Sequence, residues 1–143
     1  MSKIAVVYWS GTGNTGIMAD EIVGKIKEMG HEAEKIFSDD FSAGDIANYD
    51  AFAFGCPAMG SEELEEDSFE PMFESVEKNL ENKAVVIFGS YEWADGEWMH
   101  TWQDRCKDNG INLVADGLAV YDTPDDEGVE ACKKLAEDLV NSL

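Results

Sequence analysis

Residues Ile4 to Gly16 read IAVVYWSGTGNTG, and the fold follows from how this stretch changes character. Ile4–Trp9 is an unbroken apolar run, the signature of a strand covered on both faces rather than one. Ser10 to Gly16 is built from turn residues, with Gly11, Gly13 and Gly16 matching the spacing G-x-G-x-x-G. From Gly16 to Met29 the apolar residues Ile17, Ile22, Ile26 and Met29 recur at helical intervals, and Gly30 closes the segment. A buried strand, a glycine-bearing loop and a helix in this order place unpaired backbone N–H groups and a positive dipole end at the loop. An anion is favoured there.

The side chains of the loop narrow the anion. There is no lysine, so the triphosphate-binding pattern G-x-x-x-x-G-K-[ST] is absent. Ser10, Thr12, Asn14 and Thr15 supply three hydroxyls and one amide. Donors pointing in several directions suit the three oxygens of a terminal phosphate monoester better than a bridging pyrophosphate. The chain is also too short for the second nucleotide-binding half that a dinucleotide needs, although Glu34 stands near the position of a ribose-binding acid. These features point to a mononucleotide.

The rest of the chain repeats the alternation. Glu32–Phe37 reads as an edge strand, Ala51–Cys56 and Ala84–Ser90 as buried strands, and Asn112–Tyr121 as a strand interrupted around Asp116–Gly117. Helices are expected near Phe69–Leu80 and Glu97–Asn109 and over the closing segment from Asp125 to Leu143. Strands alternating with helices imply a doubly wound α/β fold with a parallel sheet and helices on both faces. At 143 residues the chain reads as one domain, 1–143. Right-handed crossovers bring the loop after each strand to the carboxyl edge of the sheet, where ligands bind.

Charge removes several function classes. With 31 acidic and 10 basic residues the formal net charge is −21, which disfavours nucleic acid and anionic membranes as partners. A partner with a basic surface would be steered in. The three cysteines, Cys56, Cys106 and Cys132, form no C-x-x-C pair and no disulfide framework, and the two histidines have no metal-ligand spacing. Ser61–Asp67, SEELEED, reads as a solvated acidic face, and Asp125 and Asp126 as the N-terminal charge of a helix. Neither Ser90 nor Cys56 has a histidine at the expected edge to activate it, so nothing argues for hydrolysis.

The loops after the second and third buried strands, PAMGSEELEED and YEWADGEW, are unusually rich in large side chains. Tyr91, Trp93 and Trp98 are rings where polar residues are ordinary, and Met59 is an exposed thioether candidate. A flat aromatic ligand held between Met59 and Trp93 accounts for both loops.

Taken together, YWSGTGNT, GCPAMGSEELEE, FEPMFE and FGSYEWADGEWM, in this order and spacing, resemble the short-chain, clostridial-type flavodoxins over nearly the full length. The resemblance implies a flavodoxin-like five-stranded parallel sheet of order 2-1-3-4-5 with FMN at its switch point. The implied FMN contacts run from Trp9 through Ser10, Gly11, Thr12, Gly13 and Asn14 to Thr15. They continue from Cys56 through Pro57, Ala58, Met59, Gly60 and Ser61 to Glu62, and then over Ser90, Tyr91, Glu92 and Trp93. Ser10, Thr12, Asn14 and Thr15 would take the phosphate, and Met59 and Trp93 the inner and outer faces of the ring. Glu62 would accept from flavin N3–H, and Ser90 would lie near the ribityl chain. The Gly60–Ser61 peptide would turn its carbonyl toward flavin N5 on one-electron reduction. One such hydrogen bond, about 0.5–1.5 kcal/mol net, corresponds to about 20–65 mV. The sequence departs from its relatives at Glu92, where glycine is common, and at Ser61, where some carry aspartate.

The function implied is a low-potential one-electron carrier with non-covalent FMN, shuttling between semiquinone and hydroquinone. It would be a cytoplasmic monomer that transforms no substrate and docks on redox proteins with basic surfaces. Two other classes share the fold: an FMN-dependent quinone or nitro reductase, which needs a nicotinamide site, and a flavodoxin-like activator of a metalloenzyme. A phosphoreceiver domain does not fit, because Trp9 and Ser10 stand where its acidic strand end would be.

Overall fold

The computed structural model describes residues 2–11, 13–59, 63–80, 82–92 and 96–143. In chain order the elements are β1 (Lys3–Tyr8), α1 (Asn14–Glu28), β2 (Glu32–Phe37), β3 (Ala51–Gly55), α2 (Phe69–Val76), β4 (Ala84–Tyr91), α3 (Glu97–Asp108), β5 (Asn112–Leu113), β6 (Leu118–Tyr121) and α4 (Asp126–Asn141). Short 3-10 turns at Ser38–Asp40 and Ala43–Asn48 carry the chain from β2 to β3.

All strand pairings are parallel, in the order β2-β1-β3-β4-β5, and β6 also pairs with β4. The expected five-stranded order 2-1-3-4-5 is therefore present, with its fifth position filled by two segments. β5 continues the start of β4 through Val85–Leu113, and β6 its end through Phe88–Leu118 to Tyr91–Tyr121. Between them the chain leaves the ladder around Asp116–Gly117, the place where the sequence breaks its apolar run. The Gly117 N–H donates to Gln103 Oε1 on α3 at 2.7 Å, so the excursion is tied down.

Alternate residues of the central strands face two different cores. Ala5, Val7, Phe52, Phe54, Val85 and Ile87 pack with Phe69, Phe73, Trp98 and Trp102 of α2 and α3. Ile4, Val6, Ala51, Ala53, Val86 and Phe88 pack with Met18, Ile22, Ile26, Leu135 and Leu139 of α1 and α4. Period-two alternation thus sorts large rings of β3 to one face and alanines to the other. Both faces being covered is the reason the strands read as unbroken apolar runs. α2 ends at Val76, short of Leu80, which is nonetheless buried. An ion-pair cluster staples α2 to α3. Arg105 donates from both terminal nitrogens to Glu70 at 2.7 Å and from Nε to Glu77 at 3.0 Å, with its guanidinium 5.1 Å from the Phe73 ring centre.

The carboxyl ends of β3 and β4 approach unusually closely. A Cβ on Gly89 would lie 2.0 Å from the carbonyl oxygen of Cys56, which also accepts the Trp98 indole N–H at 3.2 Å. Backbone cannot yield as the tip of a side chain would. Gly89→Ala is therefore expected to cost about 3 kcal/mol, read as a lowered urea midpoint; an unchanged midpoint would show that the strand ends separate freely.

Candidate functional site

Three loops meet at the carboxyl edge, on either side of the point where the strand order reverses between β1 and β3. The first leaves β1 at Trp9, whose N–H donates to the Gly55 carbonyl at 3.0 Å. Gly13 takes φ +103°, a left-handed conformation that strains any side chain, and so turns the chain into α1. Ser10 Oγ accepts the N–H of Gly13 at 3.1 Å and of Gly16 at 3.2 Å. The N–H groups of Asn14 and Thr15 have no hydrogen-bond partner among the described residues, and the first turn of α1 carries no acid. Free N–H donors, hydroxyls and a helix amino end fit a phosphate.

Asn14 and Thr15 are both buried, and each is tied to a distant loop. Asn14 Nδ2 lies 3.5 Å from Asp122 Oδ1, and Asn14 Oδ1 accepts from the Thr123 hydroxyl at 3.0 Å. Its amide is thus turned toward the β6–α4 connection. Asp122 itself has φ +56°, and its N–H donates to the Tyr91 carbonyl at 2.7 Å. The hydroxyls of Thr15 and Ser90 are 2.9 Å apart.

The second loop follows β3. The Ala58 N–H donates to the Ser90 carbonyl at 3.0 Å, extending the ladder beyond the strands. Met59 and Glu63 form an antiparallel bridge with two 2.9 Å bonds, which fixes both ends of residues 60–62. Glu65 then departs from the expected solvated face. The residue is only 6% exposed, and its carboxylate accepts the N–H groups of Asp67 at 2.9 Å, Ser68 at 2.7 Å and Phe69 at 2.8 Å, which caps α2. The Glu65 N–H in turn donates to Cys56 Sγ at 3.3 Å. The other end of the prediction holds: Asp125 caps α4 by accepting the Gly128 N–H at 2.8 Å.

Trp9, Gly11, Pro57, Ala58, Met59, Ser90, Tyr91 and Glu92 line one cleft. Tyr91 packs on Trp98 and on the exposed Tyr121, with ring centres 5.6 and 5.4 Å apart. Trp98 is not a loop ring. It lies in the first turn of α3, 1% exposed, and belongs to the core. Cys56 is fully buried at the base of the second loop. Glu34 is outside the site, accepting from Tyr49 at 2.6 Å and paired with Lys3 at 3.3 Å. Thr12, Gly60, Ser61, Glu62 and Trp93 lie outside the described residues. The signal for Glu65 was its place, four residues ahead of the α2 start, and that of Trp98 its i, i+4 spacing to Trp102. Asp122 and Thr123 left no local signal.

Fold and cleft together define a doubly wound α/β protein with a phosphate-suited loop and a partly apolar cleft at the switch point. The flavodoxin family model matches residues 6–135. Flavodoxins of Megasphaera elsdenii and Clostridium beijerinckii are 43% and 40% identical over 134 and 136 residues, covering 94% and 95% of this chain and 96% and 98% of theirs. The solution structure of two-electron reduced Megasphaera elsdenii flavodoxin superposes with a TM-score of 0.86 at 42% identity, covering 96% of this chain and 98% of that one. The chain belongs to the flavodoxin family. It is thus an FMN-binding electron carrier that serves redox partner proteins.

Burial pushes the Cys106 and Cys132 thiols up to about 12, and the Cys56 thiol up as well. The folded chain should therefore resist a thiol-specific chromogenic reagent at pH 8 and expose all three thiols only on unfolding. Prompt reaction of any one in the native protein would contradict its burial. Unfolded thiols ionise from about pH 9, so above that the native state binds more protons than the unfolded one. Stability should fall from about pH 9 to 12, as denaturant titrations at stepped pH would show. Glu65→Ala removes three charge-assisted bonds and is expected to cost about 1.5–3 kcal/mol, again measurable by denaturant titration.

Proposed function

We infer that the whole chain, 1–143, forms one FMN-binding domain that carries single electrons and transforms no substrate of its own. The observation that carries this reading is the single cleft in which the α1 loop, the Pro57–Met59 loop and the Ser90–Glu92 loop converge. In it Ser10, Thr15 and the amino end of α1 would hold the phosphate with Thr12 and Gly13, Asn14 positioning the loop from behind. Met59 and Trp93 would cover the flavin faces, Ser90 and Tyr91 would flank the ribityl side, and Glu62 would accept from the pyrimidine edge. Trp9, Gly11, Pro57, Ala58 and Glu92 complete the walls of the cleft, Cys56 lies buried beneath the second loop, and Gly60 and Ser61 would join the contacts on this reading. The bound flavin supplies the redox chemistry; the chain orients it, excludes water from one face and sets the local charge.

Two features support a docking partner with a basic surface. Glu63, Glu66 and Asp67 are exposed beside Met59, and Glu92 is exposed at the cleft rim. A net charge of −21 extends that field over the molecule. Few exposed apolar side chains support a monomer: among the described residues the exposed large hydrophobics are Ile17 in α1, Tyr121 in β6 and Leu143 after α4. No helix among the described residues is long and apolar enough to cross a membrane. The place of action that this reading assigns is the cytoplasm.

The test is an anaerobic reductive titration of FMN-loaded protein followed by its visible spectrum. The expected outcome is a long-wavelength one-electron-reduced species that rises and then bleaches. Reduction in a single two-electron step would overturn the carrier reading in favour of a reductase, and failure to bind FMN would overturn the site.

A further inference from the structure

Thr15 and Ser90 are 1% and 3% exposed, and their hydroxyls are hydrogen-bonded to each other at 2.9 Å. Ser90 also donates its backbone N–H to Thr15 Oγ1 at 3.3 Å, and its carbonyl accepts from Ala58. Either hydroxyl can be the donor within the pair. Two hydroxyls carry two protons, and one lies in the shared bond, so a single proton remains to point outward. When Ser90 donates, Thr15 Oγ1 has both lone pairs filled, by the Ser90 N–H and O–H, and can only donate outward. The Ser90 oxygen then faces outward as an acceptor. When Thr15 donates, Ser90 carries the outward proton beside one free lone pair, and Thr15 Oγ1 can only accept.

We propose that Thr15 and Ser90 act as one coupled hydroxyl pair that selects a ligand with a phosphate on the Thr15 side and a hydroxyl on the Ser90 side. The proposal rests on the reading of Thr15 as a phosphate contact. A phosphate dianion only accepts, so its contact with Thr15 fixes the pair in the arrangement where Ser90 donates inward. Ser90 is thereby left with no outward proton and restricted to accepting from a ligand hydroxyl, and its oxygen is made more basic by the bond it gives. Occupation of one end improves the other. A flavin lacking the phosphate leaves the pair free to adopt either arrangement and gains no such reinforcement. Specificity for FMN over riboflavin would then come partly from a residue that does not touch the phosphate.

The experiment measures dissociation constants of FMN and riboflavin, by flavin fluorescence, for the unaltered protein, Thr15→Val, Ser90→Ala and the double variant. Ser90→Ala is expected to weaken FMN at least about threefold more than it weakens riboflavin. In the Thr15→Val background its effect on FMN should shrink about fivefold, within the range of measured pair couplings. Thr15→Ser keeps a hydroxyl and should keep the coupling. Independent effects, in which the two fold-changes multiply for FMN and Ser90→Ala weakens both flavins alike, overturn the coupled pair while leaving Thr15 as a phosphate contact. Unchanged FMN affinity in Thr15→Val overturns that contact and the pair with it. The FMN-to-riboflavin comparison in Ser90→Ala alone decides the proposal if the double variant does not fold.

Discussion

Ser90 is the junction on which the carboxyl edge depends. Its carbonyl takes the Ala58 N–H, its own N–H reaches Thr15 Oγ1, and its hydroxyl meets the same oxygen. One residue at the end of β4 thus fixes the loop after β3 and the first turn of α1. The closeness of Gly89 to the Cys56 carbonyl makes this possible, because a side chain there would push the two strand ends apart. Backbone groups that would otherwise be orphaned where the strands stop are paired across loops instead.

The fold was legible because its pattern is physical and local. Ile4–Val7, Ala51–Phe54 and Ala84–Phe88 are unbroken apolar runs, and only a strand packed on both faces has that need. The break at Asp116–Gly117 was visible, yet the rejoining of Leu118–Tyr121 to the end of β4 was a matter of register across the sheet. The phosphate-suited loop was legible from its donors. Its anchoring was not: Asn14 meets Asp122 and Thr123 from more than 100 residues away, and nothing near Asp122 marks it as a partner.

Two side chains were misread for instructive reasons. Trp98 looks like a loop ring when YEWADGEW is read as one segment, whereas α3 begins at Glu97 and carries Trp98, Trp102 and Cys106 along a single buried stripe. Glu65 carries the same side chain as Glu63 and Glu66 near it, and only its distance from the start of α2 sets it apart. It is buried because the chain folds back through the Met59–Glu63 bridge and brings its carboxylate onto the N–H groups that open α2. Three backbone N–H donors converge on it there.

That burial changes the meaning of the acidic loop. Among the described carboxylates following Met59, Glu65 turns inward onto the α2 amino end, while Glu63, Glu66 and Asp67 are exposed to solvent. The loop is therefore held from inside by one acid and charged on the outside by its neighbours. The basic-surfaced partner proposed above would meet the outer set, and its cationic groups would lower the local negative potential on docking. The same contact would ease addition of an electron to a flavin seated behind that loop, because the charge opposing it is partly neutralised. On the proposed reading, docking and redox tuning would be two effects of one arrangement of carboxylates, with the inward-facing Glu65 anchoring the loop that carries it.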